Sequence, residues 1–308
     1  METFTFKASD HSNIFCRNWL PEPEKSPKAV IQITHGMAEH SERYAWFAEK
    51  LTQQGFAVYA NDHRGHGNTA ERDEDLGFFA KGNGWDRVVD DMKELSDLIR
   101  VRHPDLPLFL FGHSMGSFLS RDYIARFGKT LKGAILSGTA GDPGFIGKMG
   151  LMVARAQVFL KGASTPSPLM DKLSFSSYAK AFSPGRTPFD WLSRDNDQVD
   201  AYIRDPLCGF VCASGFYMDL ISGIFKINRP AHFDKTPSTL PIYLFSGAMD
   251  PVGDFSKGVR KTHEAYQKAG VNDLALRLYD QGRHEMLNEI NRDDVAQDVI
   301  QWIADHLK

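Results

Sequence analysis

The stretch Leu108-Phe109-Leu110-Phe111-Gly112-His113-Ser114-Met115-Gly116-Ser117 decides the fold. Four apolar residues run unbroken between Pro107 and Gly112, which suits a strand buried on both faces of a sheet. Beyond Gly116 the period changes, and Phe118, Leu119, Tyr123 and Ile124 are spaced for one face of a helix. Glycines two before and two after Ser114 let the backbone turn sharply and push the hydroxyl out at the top of the sheet. A bare G-x-S-x-G arises often by chance. The strand before it and the helix after it mark Ser114 as a nucleophile rather than a buried structural serine.

The same alternation extends in both directions. Segments 3–7 and 14–19 predict an antiparallel edge pair, with turn chemistry at 9–13 between them. The stretch 21–28, with three prolines, is a connecting loop. A buried strand over 29–34, a helix over 44–54 ended by Gly55 and a strand over 57–61 follow. Val88, Met92, Leu95 and Ile99 define a helix over 85–101 that Pro104 stops. After a strand at 133–137 the rhythm lapses, and 141–237 offers helical patches only at 151–160 and 216–225. It resumes with a strand at 242–246, a helix around 255–268, a strand at 274–279 and a helix over 294–307. The prediction is an α/β fold: a mostly parallel central sheet with helices on both faces. Residues 1–140 and 238–308 form the core, and 141–237 is an insertion between its two halves.

Composition narrows the function. With 308 residues the chain can bury a sizeable core as one large domain or two smaller ones. A net charge of −3 and the lack of any basic stripe argue against a nucleic-acid partner. Cys16, Cys208 and Cys212 are an odd, sparse set, expected as free core thiols; the latter two fall one turn apart if that stretch is helical. The first residues lack the basic-then-apolar pattern of a signal peptide, and no apolar run approaches the roughly 18 residues of a membrane span. A cytoplasmic location is expected.

A serine hydroxyl needs a base, and the base an orienting acid. The strand at 242–246 runs into Asp250, whose following Pro251 keeps the loop out of a helix, and the strand at 274–279 runs into His284. Both would lie at the carboxyl edge of the sheet, on the same rim as Ser114. Asp254, one turn into the next helix, and Asp280, in a turn, are weaker acids; His113, His263 and His306 are weaker bases, His113 being expected to pack or hydrogen-bond locally. An oxyanion hole needs two fixed N–H donors, expected from Met115 and from Met37 in the loop that begins His35-Gly36. The loop D-H-R-G-H-G, 62–67, has no metal-ligand spacing and is expected to be structural. No metal or cofactor is called for.

Taken together, H-G-M-A-E-H-S-E-R-Y (35–44), D-H-R-G-H-G (62–67), G-H-S-M-G (112–116), D-P-L (205–207), G-A-M-D-P-V-G (247–253) and G-R-H-E-M-L-N-E (282–289) resemble the monoacylglycerol lipase and lysophospholipase branch of the α/β-hydrolases. Its bacterial members, often labelled serine aminopeptidase-like, resemble the chain most. The resemblance implies the α/β-hydrolase fold, a Ser114–Asp250–His284 triad, an oxyanion hole at Met37 and Met115, and a helical cap over 141–237. Asn68-Thr69 stand where the family commonly has a serine, a difference in loop packing.

The expected function is hydrolysis of monoacyl-lipid esters through an acyl-enzyme, with a small-molecule acyl ester as substrate. The insertion carries many large apolar residues: Met149, Leu151, Met152, Val158, Phe159 and Leu160 early, Phe210, Phe216, Tyr217, Met218, Leu220, Ile221 and Phe225 late. Most are expected to pack the insertion's own core, some to line an acyl tunnel, and an exposed face would make transient contact with lipid. Two alternatives stand beside this reading. A serine aminopeptidase on the same triad would need acidic groups to hold the amine, and Asp190, Asp195, Asp197 and Asp200 form what looks like a solvated charged stretch. A non-catalytic receptor on the same fold usually lacks a triad member, whereas here all three are present.

Overall fold

The computed structural model describes residues 1–22, 24 and 26–307. Within the loop expected over 21–28, Pro23 and Lys25 lie outside the described residues, as does Lys308 at the end of the core. Strands β1 (Glu2–Lys7) and β2 (Asn13–Trp19) pair antiparallel. Then come β3 (Ala29–Thr34), α1 (Ala45–Gln53), β4 (Phe56–Asn61), α2 (Gly84–Arg102), β5 (Leu108–His113), α3 (Met115–Phe127) and β6 (Gly133–Ser137). The chain continues through α4 (Gly144–Lys161), α5 (Pro168–Lys180), α6 (Asn196–Arg204), α7 (Ser214–Ile227) and the short α8 (Pro230–Phe233). It closes with β7 (Ile242–Gly247), α9 (Lys257–Lys268), β8 (Leu274–Tyr279) and α10 (Arg292–Asp305).

The eight strands form one sheet in the order β1-β2-β4-β3-β5-β6-β7-β8. From β4 to β8 every neighbouring pair is parallel. Side chains on the central strands alternate between two cores, as the period of a strand requires. Leu110, Leu136 and Leu244 pack with Val88 and Met92 of α2 and Phe118 and Leu119 of α3. Phe109, Phe111, Ile135 and Phe245 pack with Phe47 and Leu51 of α1 and Val295, Val299 and Ile303 of α10. Burial on both faces is why these strands read as unbroken apolar runs.

The insertion differs from expectation in two ways. It holds three helices beyond the apolar patches: α5, α6 and the short α8. Ser167 caps α5 by accepting the Met170 N–H, with Pro168 following, and Asp195 caps α6 by accepting from Asp197 and Gln198. Its apolar side chains also divide unevenly. Phe216 and Tyr217 of α7 are buried against the main core, whereas α4 buries only Ala154. The segment 205–213 is not helical, so Cys208 and Cys212 are not related by a helical turn; all three cysteines are free and buried. No helix among the described residues is long and apolar enough to cross a membrane.

Candidate active site

β5 ends at His113 and the chain turns into α3 at Ser114, whose φ of 52° and ψ of −120° lie outside the basins open to most side chains. The flanking glycines are required by contact. A Cβ on Gly112 would sit 2.4 Å from Ser120 Oγ, and one on Gly116 2.1 Å from the Thr34 carbonyl oxygen. Helix α3 therefore starts hard against the end of β3. The Ser114 N–H donates to the Ser137 carbonyl at 2.9 Å, which ties the turn to β6.

The expected acid and base meet beside it. His284 Nδ1 lies 3.0 Å from both Asp250 carboxylate oxygens. Asp250 is itself fixed by the Ser246 hydroxyl at 3.0 Å and the Val252 N–H at 2.9 Å. Because the carboxylate can only accept, Nδ1 holds the proton and Nε2 presents a lone pair. Neither His284 Nε2 nor Ser114 Oγ has a hydrogen-bond partner among the described residues; such catalytic bonds often form only around the reacting substrate. The His284 ring packs 4.8 Å from that of His113, next in the chain to Ser114, and 5.2 Å from Trp191 of the insertion.

The two neighbouring histidines are driven apart in basicity. Burial alone would lower His284, but the Asp250 carboxylate, helped by Glu285 and Glu39, raises it above the ordinary histidine value. Burial, reinforced by repulsion from His284, pushes His113 down to about 3. His113 instead meets the Ser137 hydroxyl through Nδ1 at 3.1 Å. Of the two, only His284 has the basicity of a general base near neutral pH.

Of the two expected oxyanion donors, Met37 lies in the loop after β3 and Met115 opens α3. The Met37 and Met115 amides donate to no group among the described residues. Three buried rings support this loop from below: His35 lies 4.2 Å from His63 and 5.3 Å from His66, centroid to centroid. The His63 N–H donates to His35 Nε2 at 2.9 Å, so His35 carries its proton on Nδ1, which donates to the Gly36 carbonyl. In the D-H-R-G-H-G loop, Asp62 accepts from the Ser41 N–H and hydroxyl, from Arg17 and from the Asn68 N–H. Thr69 donates to the Asp62 carbonyl and accepts the Phe15 N–H. These bonds make 62–69 a bracket for the loop after β3.

Sequence reasoning missed the ionic link behind these groups. Arg43 donates to Glu39 at 2.6 Å and to both oxygens of Glu285 at 2.8 and 2.7 Å. Glu39 also accepts the Gly36 N–H, and Glu285 follows His284 directly. Burial pushes Glu285 up, but the Arg43 guanidinium holds it well below the usual carboxylate range. One cation thus connects the loop that carries Met37 to the loop that carries His284. Glu39, Arg43 and Glu285 all lie in the motifs quoted above; their signal was charge next to predicted site residues.

The rival residues fall elsewhere. Asp254 is not inside a helix: it stands in the turn before α9 at φ 49°. Asp280 accepts the Gln281 N–H in a turn. His263 lies on α9 and His306, just past α10, meets Asp273. The acidic stretch of the insertion is not simply solvated. Asp190 is buried and accepts from the Arg186 and Thr187 amides and the Thr187 hydroxyl; Asp195 caps α6, and Asp200 pairs with Arg186. One mixed donor set, His40, Asp205 and Cys208, comes within 4.8 Å among the described residues. There His40 Nε2 already bonds Asp205, and its Nδ1 is buried without the partner that normally orients a metal-binding imidazole.

The insertion is stitched to the loop that carries His284. The His284 and Glu285 amides donate to the Trp191 and Leu192 carbonyls at 3.3 and 2.8 Å. Arg283 donates to the Asp190 and Ser193 carbonyls, and Arg194 pairs with buried Glu289.

Known proteins resemble this chain over most of its length. A family profile described as serine aminopeptidase, S33, matches residues 25–291. The monoglyceride lipase of Mus musculus is 29% identical over 300 residues, covering 96% of this chain and 88% of that protein. The monoacylglycerol lipase of Mycolicibacterium smegmatis is 27% identical over 289 residues, 94% of this chain and 92% of its own. A thermostable carboxyl esterase from Bacillus coagulans, solved with glycerol, superposes with a TM-score of 0.92 at 29% identity, covering 100% of this chain and 99% of that one.

Proposed function

The chain belongs to the serine aminopeptidase S33 family of α/β-hydrolases, and on that premise we propose that it hydrolyses the carboxylic esters of monoacyl lipids through a serine acyl-enzyme. The single observation that carries the reading is the Asp250–His284 pair, packed against the residue beside a strained, half-buried serine. His284 Nε2 takes the proton of Ser114 as Oγ attacks the ester carbonyl, while Asp250 holds the imidazole and steadies its positive form. The Met37 and Met115 amides bind the developing oxyanion. The tetrahedral intermediate collapses, the His284 proton passes to the departing alcohol, and the acyl group stays on Oγ. Water, deprotonated by His284, then releases the fatty acid and restores the serine.

We assign 141–237 as a cap. Its segment 190–194 is bonded to the loop carrying His284, while α4 turns apolar side chains outward: Phe145 is 76% exposed, Ile146 84%, Phe159 89% and Leu160 75%. An apolar helix face of that kind fits a lipid surface, where such esters reside. The three free thiols support a reducing, cytoplasmic setting.

The family's label does not favour peptide substrates here, because three of the four carboxylates that could hold a peptide amine are engaged within the insertion. Monoolein set against an aminoacyl-p-nitroanilide tests the choice: rapid release of oleate with negligible anilide cleavage is expected, and the reverse preference would overturn it. A fluorophosphonate probe should label the wild type and spare Ser114→Ala.

A further inference from the structure

Outside the catalytic centre, a cleft of about 540 Å³ opens between α4, α7 and the start of α8. Lys148 and Arg155 of α4 and Arg229, which precedes α8, line it with Ser222, Phe225, Asn228 and one acidic residue, Asp142. Asp142 is turned to its own loop, accepting the Gly144 N–H, and Asn228 is occupied by Arg121 and the Ile224 carbonyl. None of the three cations makes an ion pair or a side-chain hydrogen bond among the described residues, and all are exposed. Lys148 and Arg155 are seven residues apart, two turns along one helix face. The exposed apolar side chains Phe145, Ile146, Met149 and Met152 lie on the same helix.

Charge and apolarity are thus combined on one helix. A lone anion in water would account for the cations and leave the apolar side chains unexplained; a neutral lipid would do the opposite. We infer that this cleft is a binding site for the phosphate of an anionic phospholipid, with the apolar side chains of α4 entering the acyl layer beside it. Guanidinium groups suit phosphate because their planar fork donates two parallel hydrogen bonds. Basic residues near an anionic bilayer each strengthen attachment severalfold, so the three together are worth roughly a hundredfold at low salt. The inference rests on the lipid-ester reading and deepens it: the cap would be drawn to anionic membrane, while Ser114 takes its substrate from there.

The test is flotation of the purified protein with vesicles of phosphatidylcholine alone or mixed with phosphatidylglycerol, alongside hydrolysis of a water-soluble short-chain ester. The expected result is tighter binding to the phosphatidylglycerol vesicles, weakened by salt. The variant K148Q/R155Q/R229Q should lose that gain yet hydrolyse the soluble ester as the wild type does, and K148R should keep it. Equal binding to the two vesicles, or an undiminished gain in the triple variant, would overturn the site and leave the esterase reading intact. Binding of inorganic phosphate by the wild type in solution, lost in the triple variant, with no gain on the phosphatidylglycerol vesicles, would assign the cleft to a free anion and overturn the membrane source. Loss of soluble-ester hydrolysis in the wild type would instead strike the function itself.

Discussion

Arg43 and Glu285, 242 positions apart, are joined by two parallel N–H···O bonds of 2.8 and 2.7 Å. Both side chains are nearly buried, and the carboxylate belongs to the residue after the proposed base. Arg43→Ala leaves two buried carboxylates without their cation, so a loss of about 3–5 kcal/mol is expected in urea unfolding. Glu285→Gln separates support from electrostatics. It removes one of the negative charges that raise His284, so the acid limb of kcat/KM should move to lower pH. A limb that stays in place would reduce the pair to scaffolding.

The pH profile of the wild type has a defined sign. Hydrolysis needs His284 neutral, and its basicity is raised by Asp250. Activity should therefore fall, as pH drops, at a point above the ordinary histidine value of about 6.5. Asp250→Asn should move that point down and cut kcat by orders of magnitude. A wild-type limb near pH 5 would contradict the assignment of the base.

Stability should respond to acid through other histidines. Burial lowers His35, and burial with repulsion from His66 pushes His63 to about 3; burial pushes His66 to about 4 and His113 to about 3. Unfolded, each would titrate near 6.5. Their folded values are depressed, so the unfolded chain takes up more protons, and stability present above about 6.5 is lost as pH falls towards about 4. Each contributes about 1.4 kcal/mol per pH unit in that window. His284, raised rather than lowered, adds its share below 6.5 and leaves the slope there unchanged. Urea midpoints between pH 7 and 5 give the slope directly, and a flat profile would show these rings protonated in the native state.

The serine itself stores strain. At φ 52° and ψ −120°, Ser114 is held where a side chain costs on the order of 1–3 kcal/mol. Ser114→Gly should be inactive yet more stable than wild type, whereas Ser114→Ala should be inactive without that gain. Thermal midpoints of the two variants measure the difference.

The outward face of α4 separates two kinds of substrate. Ile146→Gln and Phe159→Gln should leave a soluble short-chain ester unaffected and slow hydrolysis of monoacylglycerol dispersed in vesicles. An immersed apolar side chain is worth about 1.5–3 kcal/mol, so each change should raise the lipid concentration for half-maximal rate roughly tenfold. Equal effects on both substrates would place these residues in catalysis instead.

The sheet was legible because its central strands are buried on both faces. Phe109 and Leu110 enter opposite cores, so neither face needed polar residues and the run stood out. Asp250 was legible for a related reason, standing just past the buried β7, whereas His284 follows the edge strand β8, whose apolar run is broken by Arg277. The insertion was harder. α5 mixes Leu173 and Phe175 with serines and presents no apolar stripe, so only Ser167-Pro168 announced it. α4 misled in the other direction: Phe159 and Leu160 read as core residues, and nothing in a periodic apolar pattern says whether the partner is protein or lipid. Arg43 was passed over because an ion pair across 242 positions leaves no local pattern.

The bonds between 190–194 and the loop carrying His284 divide the insertion into unequal halves. Any motion that lifted the whole insertion would break the Trp191 and Leu192 carbonyl contacts and misalign the imidazole with every opening. α5 shares that anchorage, because its Phe175 and Tyr178 pack on Trp191, so traffic in and out is expected on the side of α4, which buries only Ala154. The same asymmetry makes α4 the replaceable part: descendants or designers can exchange it to admit a different acyl length or head group without rebuilding the chemistry underneath.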